Sequence, residues 1–341
     1  MPQSNKSQGR ATGAPTRAAL YERLNAQIAE LRDELGGLPS SAHAEQIWHG
    51  IWLEEAHNST ALEGNTLVLK QVEQLLSEGR AVGNKDLSEY LEVQGYGAAA
   101  NWVYGQAIEP GEWTDGDLIS LAEVRHVHTL AMTPVWDVAP HPQATDRERP
   151  GSFREHDIAP FPAGMTPPPW PDVPASMRDW ITDAQALRDA DQTALIEALA
   201  SLHGRFEQIH PYLDGNGRAG RLVLNLLLVR LGYPPAIVYK ADRPRYLSTL
   251  RRCDAGDPAP LGELLARAVL DNLYRFVIPA LAGPDRLVPL QALATPTLSA
   301  NALRVAATRG RLKATKGSDG AWRSSRTWVE RYAQARHKRR P

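Results

Sequence analysis

A single cysteine, Cys253, occurs in 341 residues, so no intramolecular disulfide can form. No apolar run approaches the roughly 20 residues of a membrane span. The opening segment MPQSNKSQGRATGAPTR has basic side chains but no apolar stretch after them, and so lacks a secretory signal. The cytoplasm is then the default compartment, and no membrane partner is expected. There is no HExxH pattern; His203 and His210 are seven apart with no second cysteine, which gives a zinc site little support. No internal repeat of fixed period is evident. What is present is a chain 43% hydrophobic, long enough for one large domain with a satellite or for two ordinary domains.

Charge is nearly balanced overall, at -1, but unevenly distributed. From Ser299 onward twelve lysines and arginines face only Asp319 and Glu330, a net of +10 that leaves -11 for the rest. Such a split suggests an acidic body joined to a basic module whose natural partner is a polyanion.

Residues 1–16 are polar and aperiodic and read as a disordered tail. Helical spacing begins at Thr16, with Leu20, Leu24, Ile28, Leu31 and Leu35 on one face and Gly36-Gly37 as the stop. Further helices are predicted over 44–58, 67–76, 87–103, 115–132, 175–190, 192–208, 218–231, 244–253 and 260–281. The proline-rich stretch 133–174 interrupts them and holds the only plausible strand pair of the body, around 150–158; an irregular segment this long is usually functional. The fold class is therefore mostly α, with a body over 17–282 and a second unit beginning near Gly283-Pro284.

The chemistry concentrates in HPYLDGNGRAGR, His210 to Arg221. Gly215 and Gly217 bracket Asn216 just before an apolar helix, which lets backbone amides cup an anion where the helix N-terminus adds positive charge. Asp214 is placed to hold Mg2+ against the same phosphates. Arg218 and Arg221, three apart, lie together on the first helical turn and can grip further phosphate oxygens. His210 ends the preceding helix, with a side chain suited to taking a hydroxyl proton. A base, a metal ligand, an anion cradle and two guanidinium groups are the parts of phosphoryl and nucleotidyl transfer.

This string resembles the Fic family signature, departing from it only in Tyr212, where phenylalanine is commoner. The resemblance covers about residues 43–280 and implies a Fic-type helical bundle that transfers AMP from ATP to a protein hydroxyl with Mg2+. In it His210 is the base, Asp214 the metal ligand, and Gly215, Asn216, Gly217, Arg218 and Arg221 hold the nucleotide. Asn225 and Tyr246 are further nucleotide candidates, Tyr246 equally a packing residue. Ser59, Glu63 and Gly64, in STALEGN, resemble the family's inhibitory motif, here on an N-terminal helix near 45–64. They imply that Glu63 pairs with Arg221 and hinders ATP. Gly151, Ser152, Phe153 and Arg154 resemble the target-docking flap, a β-hairpin near 148–160. His128 and the stretch 173–180 are weaker echoes and read as structural. The implied partner is a target protein, the chain itself included, and helical bodies of this type often pair as homodimers.

Residues 283–335 read as helix, turn, helix and two-stranded wing, with a hairpin turn at Ser318-Asp319-Gly320; they resemble a winged helix-turn-helix. DNA contact would fall to Arg304 and Arg309 on the second helix and to Arg311, Lys313, Lys316 and Arg323 on the wing. Trp322 and Trp328 read as its core, and 336–341 as a basic disordered extension. Two other functions stay open: transfer of a different group, such as phosphate, UMP or phosphocholine, and an ATP-sensing, DNA-binding regulator.

Overall fold

A computed structural model describes residues 16–39, 41–108, 112–161, 165–317 and 319–338. The expected N-terminal tail, apart from Thr16, and Ser318 of the expected turn lie outside the described residues. The first helix, α1 (Arg17–Glu34), starts where the Thr16 hydroxyl accepts the Ala19 amide and buries Leu20, Leu24, Ile28 and Leu31, the expected face. It ends at Gly36 and Gly37, both with positive φ, where the Gly37 amide returns to the Leu31 carbonyl.

Then follow α2 (Ser41–Leu62), α3 (Leu69–Glu78), α4 (Leu87–Ile108) and α5 (Leu121–Trp136). The expected helix over 115–132 begins later because Ser120 and Glu123 cap each other's backbone amides, which fixes the first turn at Leu121. α4 and α5 approach closely at Gly95, where a Cβ would lie 2.3 Å from the Ala131 carbonyl oxygen. After the proline-rich stretch come α6 (Val173–Gln185), α7 (Gln192–Ile209), α8 (Asn216–Arg230), α9 (Arg243–Asp254) and α10 (Ala259–Asn272). A π turn over Leu273–Val277 joins α10 to the short α11 (Ile278–Leu281), completing the expected 260–281 segment.

α8 is the centre of the body. It is buried on all sides, polar residues included, and α2, α4, α5 and α7 pack around it. An apolar helix enclosed in this way places its N-terminal turn rigidly, which is what a site built on that turn requires.

The expected hairpin at 150–158 is corrected: the segment runs in turns and has no strand. Its backbone is held instead by the motif, with the Arg154 amide donating to the Pro211 carbonyl at 2.9 Å. The buried Arg154 guanidinium donates to the carbonyls of His210 (2.8 Å), His156 (2.7 Å) and Pro168 (2.6 Å). Sheet occurs only near the C-terminus among the described residues. There β1 (Val288–Pro289), β2 (Thr315–Lys316) and β3 (Trp322–Ser324) form an antiparallel sheet in the order β1-β3-β2.

With α12 (Ala300–Thr308) and α13 (Arg326–Lys338), that sheet encloses a small core of Leu290, Leu298, Leu303, Ala306, Ala307, Leu312 and Val329. The first helix expected of this unit is only a short 3-10 turn over Leu290–Leu293, confined between Pro289 and Pro296. The expected extension after 335 is also corrected, since α13 continues to Lys338; 339–341 lie outside the described residues. No described helix is long and apolar enough to cross a membrane.

Candidate active site

His210 sits between α7 and the loop into α8 with φ 50°, the only positive φ among described non-glycine residues. Such backbone is unfavourable for a side chain bearing a Cβ and persists only where surrounding contacts impose it. The Arg154 bonds to the Ile209 and His210 carbonyls are among those contacts. The His210 Nδ1 lies 3.3 Å from the Glu207 carbonyl, so Nδ1–H donates there and Nε2 keeps its lone pair. Burial pushes the imidazole pKa down to about 4, leaving it neutral at physiological pH. The Phe161 ring packs edge-on against it at 5.0 Å between centroids.

The loop closes on itself. Asn216 accepts the Tyr212 amide at 2.9 Å and donates to the Tyr212 carbonyl at 2.8 Å, fixing the turn that presents Asp214. Gly215, at φ 80°, would bring a Cβ within 2.4 Å of Met132 Sδ, so both its backbone and its space demand glycine. The exposed Asp214 carboxylate accepts the Gly215 amide at 2.6 Å and Arg218 at 3.1 Å. No cluster of three or more metal-ligating side chains occurs among the described residues. One carboxylate beside a phosphate cradle nevertheless fits Mg2+, which takes most of its remaining ligands from phosphates and water.

Both arginines of the motif are buried and both already face carboxylates. Arg221 Nη2 lies 2.7 Å from Glu63 Oε1 and 3.0 Å from the Ser59 carbonyl, and its Nε donates to the Ser59 hydroxyl at 2.7 Å. Burial opposes ionisation of Glu63, but the charge and hydrogen bond of Arg221 outweigh it and hold the carboxyl below its ordinary range. Burial likewise works against the Arg221 cation, and Glu63 foremost reverses it, raising its pKa. Gly217 adjoins the pair: a Cβ there would stand 2.3 Å from Glu63 Oε1 and 2.9 Å from Arg221 Nη1. The carboxylate thus lies in the hollow that the missing side chain leaves.

Glu63 reaches that hollow because α2 ends at Leu62 and the chain turns through Gly64, at φ 113°. Arg243 Nε donates to the Leu62 carbonyl at 2.7 Å, and the Lys240 amide donates to the Asn58 side chain at 3.1 Å. Asn65 donates to the Glu89 carbonyl at 2.8 Å and to Glu92 at 3.1 Å, while Glu92 lies 3.6 Å from Arg218 Nη1. Nε and Nη1 of Arg218 are buried without hydrogen-bond partners, Nη1 facing only the Glu92 carboxylate, so the guanidinium retains donors that an anion could use.

Two sequence candidates lie behind the cradle. Asn225 is fully buried, donating to Glu55 Oε1 at 2.8 Å and accepting the Ala236 amide at 2.8 Å. Tyr246 is buried with its hydroxyl 2.8 Å from His203 Nε2. Of the flap candidates, Gly151 and Arg154 are buried structural contacts, Ser152 is half-buried, and Phe153 is half-buried against Tyr212 at 5.9 Å.

Sequence reasoning missed Glu55, Tyr96, Tyr104, Glu92 and Glu207. Glu55 is fully buried, and burial raises its pKa despite hydrogen bonds from Tyr104, Tyr96 and Asn225. It lies on α2 one turn, four residues, before Ser59, the Arg221 partner that precedes Glu63. Glu207 is buried with Oε1 unpartnered, and burial pushes it up to about 7. A helical spacing of 55, 59 and 63 was the available signal for the first; nothing local marked the others.

The cations expected to face DNA lie in different settings. Arg304, Arg309 and Arg311 are exposed. Lys313 and Lys316 lie over the Trp328 and Trp322 rings, at 4.1 and 5.5 Å. Arg323, expected to meet phosphate, makes a two-pronged bond to Glu30 of α1 at 2.8 and 3.0 Å.

Residues 118–228 match the model of the Fic/DOC family. The chain is 28% identical over 286 residues to a protein adenylyltransferase Fic of Culex quinquefasciatus, covering 81% of this chain and 52% of that protein. It thus spans about half the length of that relative. A Fic domain containing signaling protein from Bacteroides thetaiotaomicron superposes with a TM-score of 0.61 at 23% identity, over 77% of this chain and 95% of the other. A Fic family protein from Desulfovibrio desulfuricans aligns over 94% of this chain and 98% of its own, with a TM-score of 0.55 at 21% identity. The stretch 118–228, which contains His210 to Arg221, is thus similar to the Fic/DOC family, and the surrounding helical body shares the fold of the two solved structures.

Proposed function

We propose that this chain transfers AMP from ATP to a hydroxyl of a target protein, and that Glu63 restrains the reaction. The observation that carries the reading is the Glu63 carboxylate seated on Arg221 against Gly217, where a phosphate oxygen of the nucleotide would otherwise lie. An anionic side chain already occupies the cradle. The adenylyltransferase name of the Culex relative supplies the nucleotide.

In this reading the target hydroxyl gives its proton to His210 Nε2 as its oxygen bonds to the α-phosphorus, and pyrophosphate leaves with the bond to the β-phosphate. The Gly215 to Gly217 loop, the α8 N-terminus and the two arginines hold the phosphate charge. Asp214 would hold Mg2+, whose contribution is to neutralise phosphate charge as the leaving group departs. Residues 150–154 sit beside the catalytic histidine and form the wall on which a target segment would dock. The inhibitory element is the last turn of α2 with Ser59, Glu63 and Gly64. The C-terminal unit reads as a winged-helix variant with a shortened first helix, and any nucleic-acid face on it would rest on Arg304, Arg309 and Arg311.

The test is incubation of the chain, its Glu63→Gly form and the Glu63→Gly/His210→Ala form with labelled ATP and Mg2+. A charge-assisted bond of this kind contributes about 1.5–3 kcal/mol, so Glu63→Gly is expected to raise labelling by roughly ten- to a hundredfold. Loss of His210 should abolish it. No protein-bound label in any form would overturn the reading; label of a different mass from another nucleotide would reassign the transferred group.

A further inference from the structure

One face of α5 is shared by the two loops that flank the catalytic histidine. Arg125, His128, Thr129 and Met132 recur there at helical spacing. Arg125 Nε donates to the Gly151 carbonyl at 2.6 Å, and the Gly151 amide donates to His128 Nδ1 at 2.8 Å. A Cβ on Gly151 would stand 2.2 Å from the Thr129 hydroxyl, so the segment is pressed against the helix. At the other end of the imidazole, His128 Nε2 lies 2.8 Å from the Asp214 carbonyl oxygen, and Met132 fills the space beside Gly215.

The partners settle the tautomer of His128. A backbone amide can only donate, so Nδ1 holds a lone pair; Nε2 therefore bears the hydrogen and donates to Asp214. The ring is 2% exposed and stacks on Tyr212 with centroids 3.6 Å apart and planes 11° from parallel, which fixes its orientation. The Asp214 carbonyl and the Gly215 amide belong to one planar peptide unit. His128 holds the carbonyl edge of that plane, and the amide edge donates to Asp214 Oδ1 at 2.6 Å. Turning the plane would turn the carboxylate.

We propose that His128 is a positioning residue that joins segment 150–154 to the Asp214 carboxylate through one imidazole, so that the target-docking wall and the metal-binding side chain are set together. The inference rests on the AMP-transfer reading and adds a residue to it. His128 touches neither nucleotide nor target; it acts through the Asp214–Gly215 peptide on one side and the Gly151 amide on the other. Loosening either end should be felt at the other.

The test uses the full chain in a Glu63→Gly/His210→Ala background, which separates binding from turnover. ATP affinity is measured calorimetrically with and without Mg2+ for His128, His128→Gln and His128→Leu. The gain in affinity that Mg2+ confers should fall at least tenfold in His128→Leu, with Mg2+-free affinity within twofold of the parent. His128→Gln, whose amide offers an acceptor and a donor side by side, should recover most of that gain. Hydrogen exchange across 150–154 gives the second readout. Adding Mg2+ and ATP should slow it in the parent and the Gln form but not in the Leu form.

A folded Leu variant that keeps the full Mg2+ effect would overturn the proposal and leave His128 a packing residue. Should the Leu variant fail to fold, a folded Gln variant that lacks the Mg2+ effect overturns it equally. If the parent itself binds ATP without any Mg2+ effect, the nucleotide-transfer reading falls and this inference with it. A normal parent beside an unaffected Leu form sinks only the inference.

Discussion

At the scale of single residues, the base and the cradle make separate predictions. Burial depresses His210 to about 4, so Nε2 stays unprotonated well below neutrality. The Glu63→Gly enzyme should keep a nearly constant single-turnover rate from pH 7.5 to 5.5; a half-loss near 6.5 would show an imidazole titrating as if in water. Gly217 makes the second case. Its φ is not positive, so alanine fits the backbone, but the new methyl would fill the hollow where Glu63 Oε1 now lies. In the Glu63→Gly background, Gly217→Ala should weaken ATP binding at least tenfold while the thermal midpoint moves by only a few degrees. Calorimetric affinity unchanged by the alanine would mean that no phosphate oxygen uses that hollow. These residues were legible because twelve consecutive positions carry the proposed base, metal ligand and cradle. Glu92 and Glu207 were not, since Glu92 meets Arg218 from another helix, Glu207 lies buried with Oε1 unpartnered on α7, and neither has a local pattern.

At the scale of elements, α2 matters because its C-terminal turn sets where Glu63 points. Arg243 caps the Leu62 carbonyl, and removing one such bond costs about 1 kcal/mol. Arg243→Ala should then fray the last turn, speed hydrogen exchange across 59–65, and raise basal labelling about fivefold, less than Glu63→Gly does. Faster exchange without added labelling would separate the turn from the restraint. The apolar periodicity carries this helix only to 58, four residues short of Leu62, while the resemblance to the inhibitory motif carries it to near 64. The hairpin expected around 150–158 is absent for a different reason: Arg154 binds the carbonyls of His210, His156 and Pro168, and the segment is held by these side-chain bonds rather than by strand pairing. Bonding of that kind is invisible in a local window.

For the whole molecule, the charge asymmetry read from the sequence is real but partly spent internally: Arg323 of the basic end pairs with Glu30 of α1, and Arg286, ahead of that end, pairs with Glu34. What governs stability against pH is the buried interior. Burial holds His128 and His210 at about 4 and His203 at about 3, against roughly 6.5 in the unfolded chain. The unfolded chain therefore binds more protons at these three sites between pH 6.5 and 4. Their stabilisation is complete above 6.5 and is lost as pH falls towards the folded values. Glu207 acts with the opposite sign. Its folded value of about 7 exceeds the unfolded one, so its contribution is full below about 4.5 and disappears as pH rises through 7. Near pH 5 the three histidines favour proton uptake by the unfolded chain while Glu207, with the likewise raised Glu55, opposes it, and each net proton costs about 1.4 kcal/mol of stability per pH unit. Urea unfolding should give a nearly flat stability from pH 8 to 7 and a steep decline below 6. Glu207→Gln should steepen that decline, because one of the opposing carboxyls is gone and only Glu55 remains. A decline equal in slope for both proteins would mean that Glu207 is ionised in the folded chain at pH 6, and its carboxylate would then be a standing second anion beside Arg221.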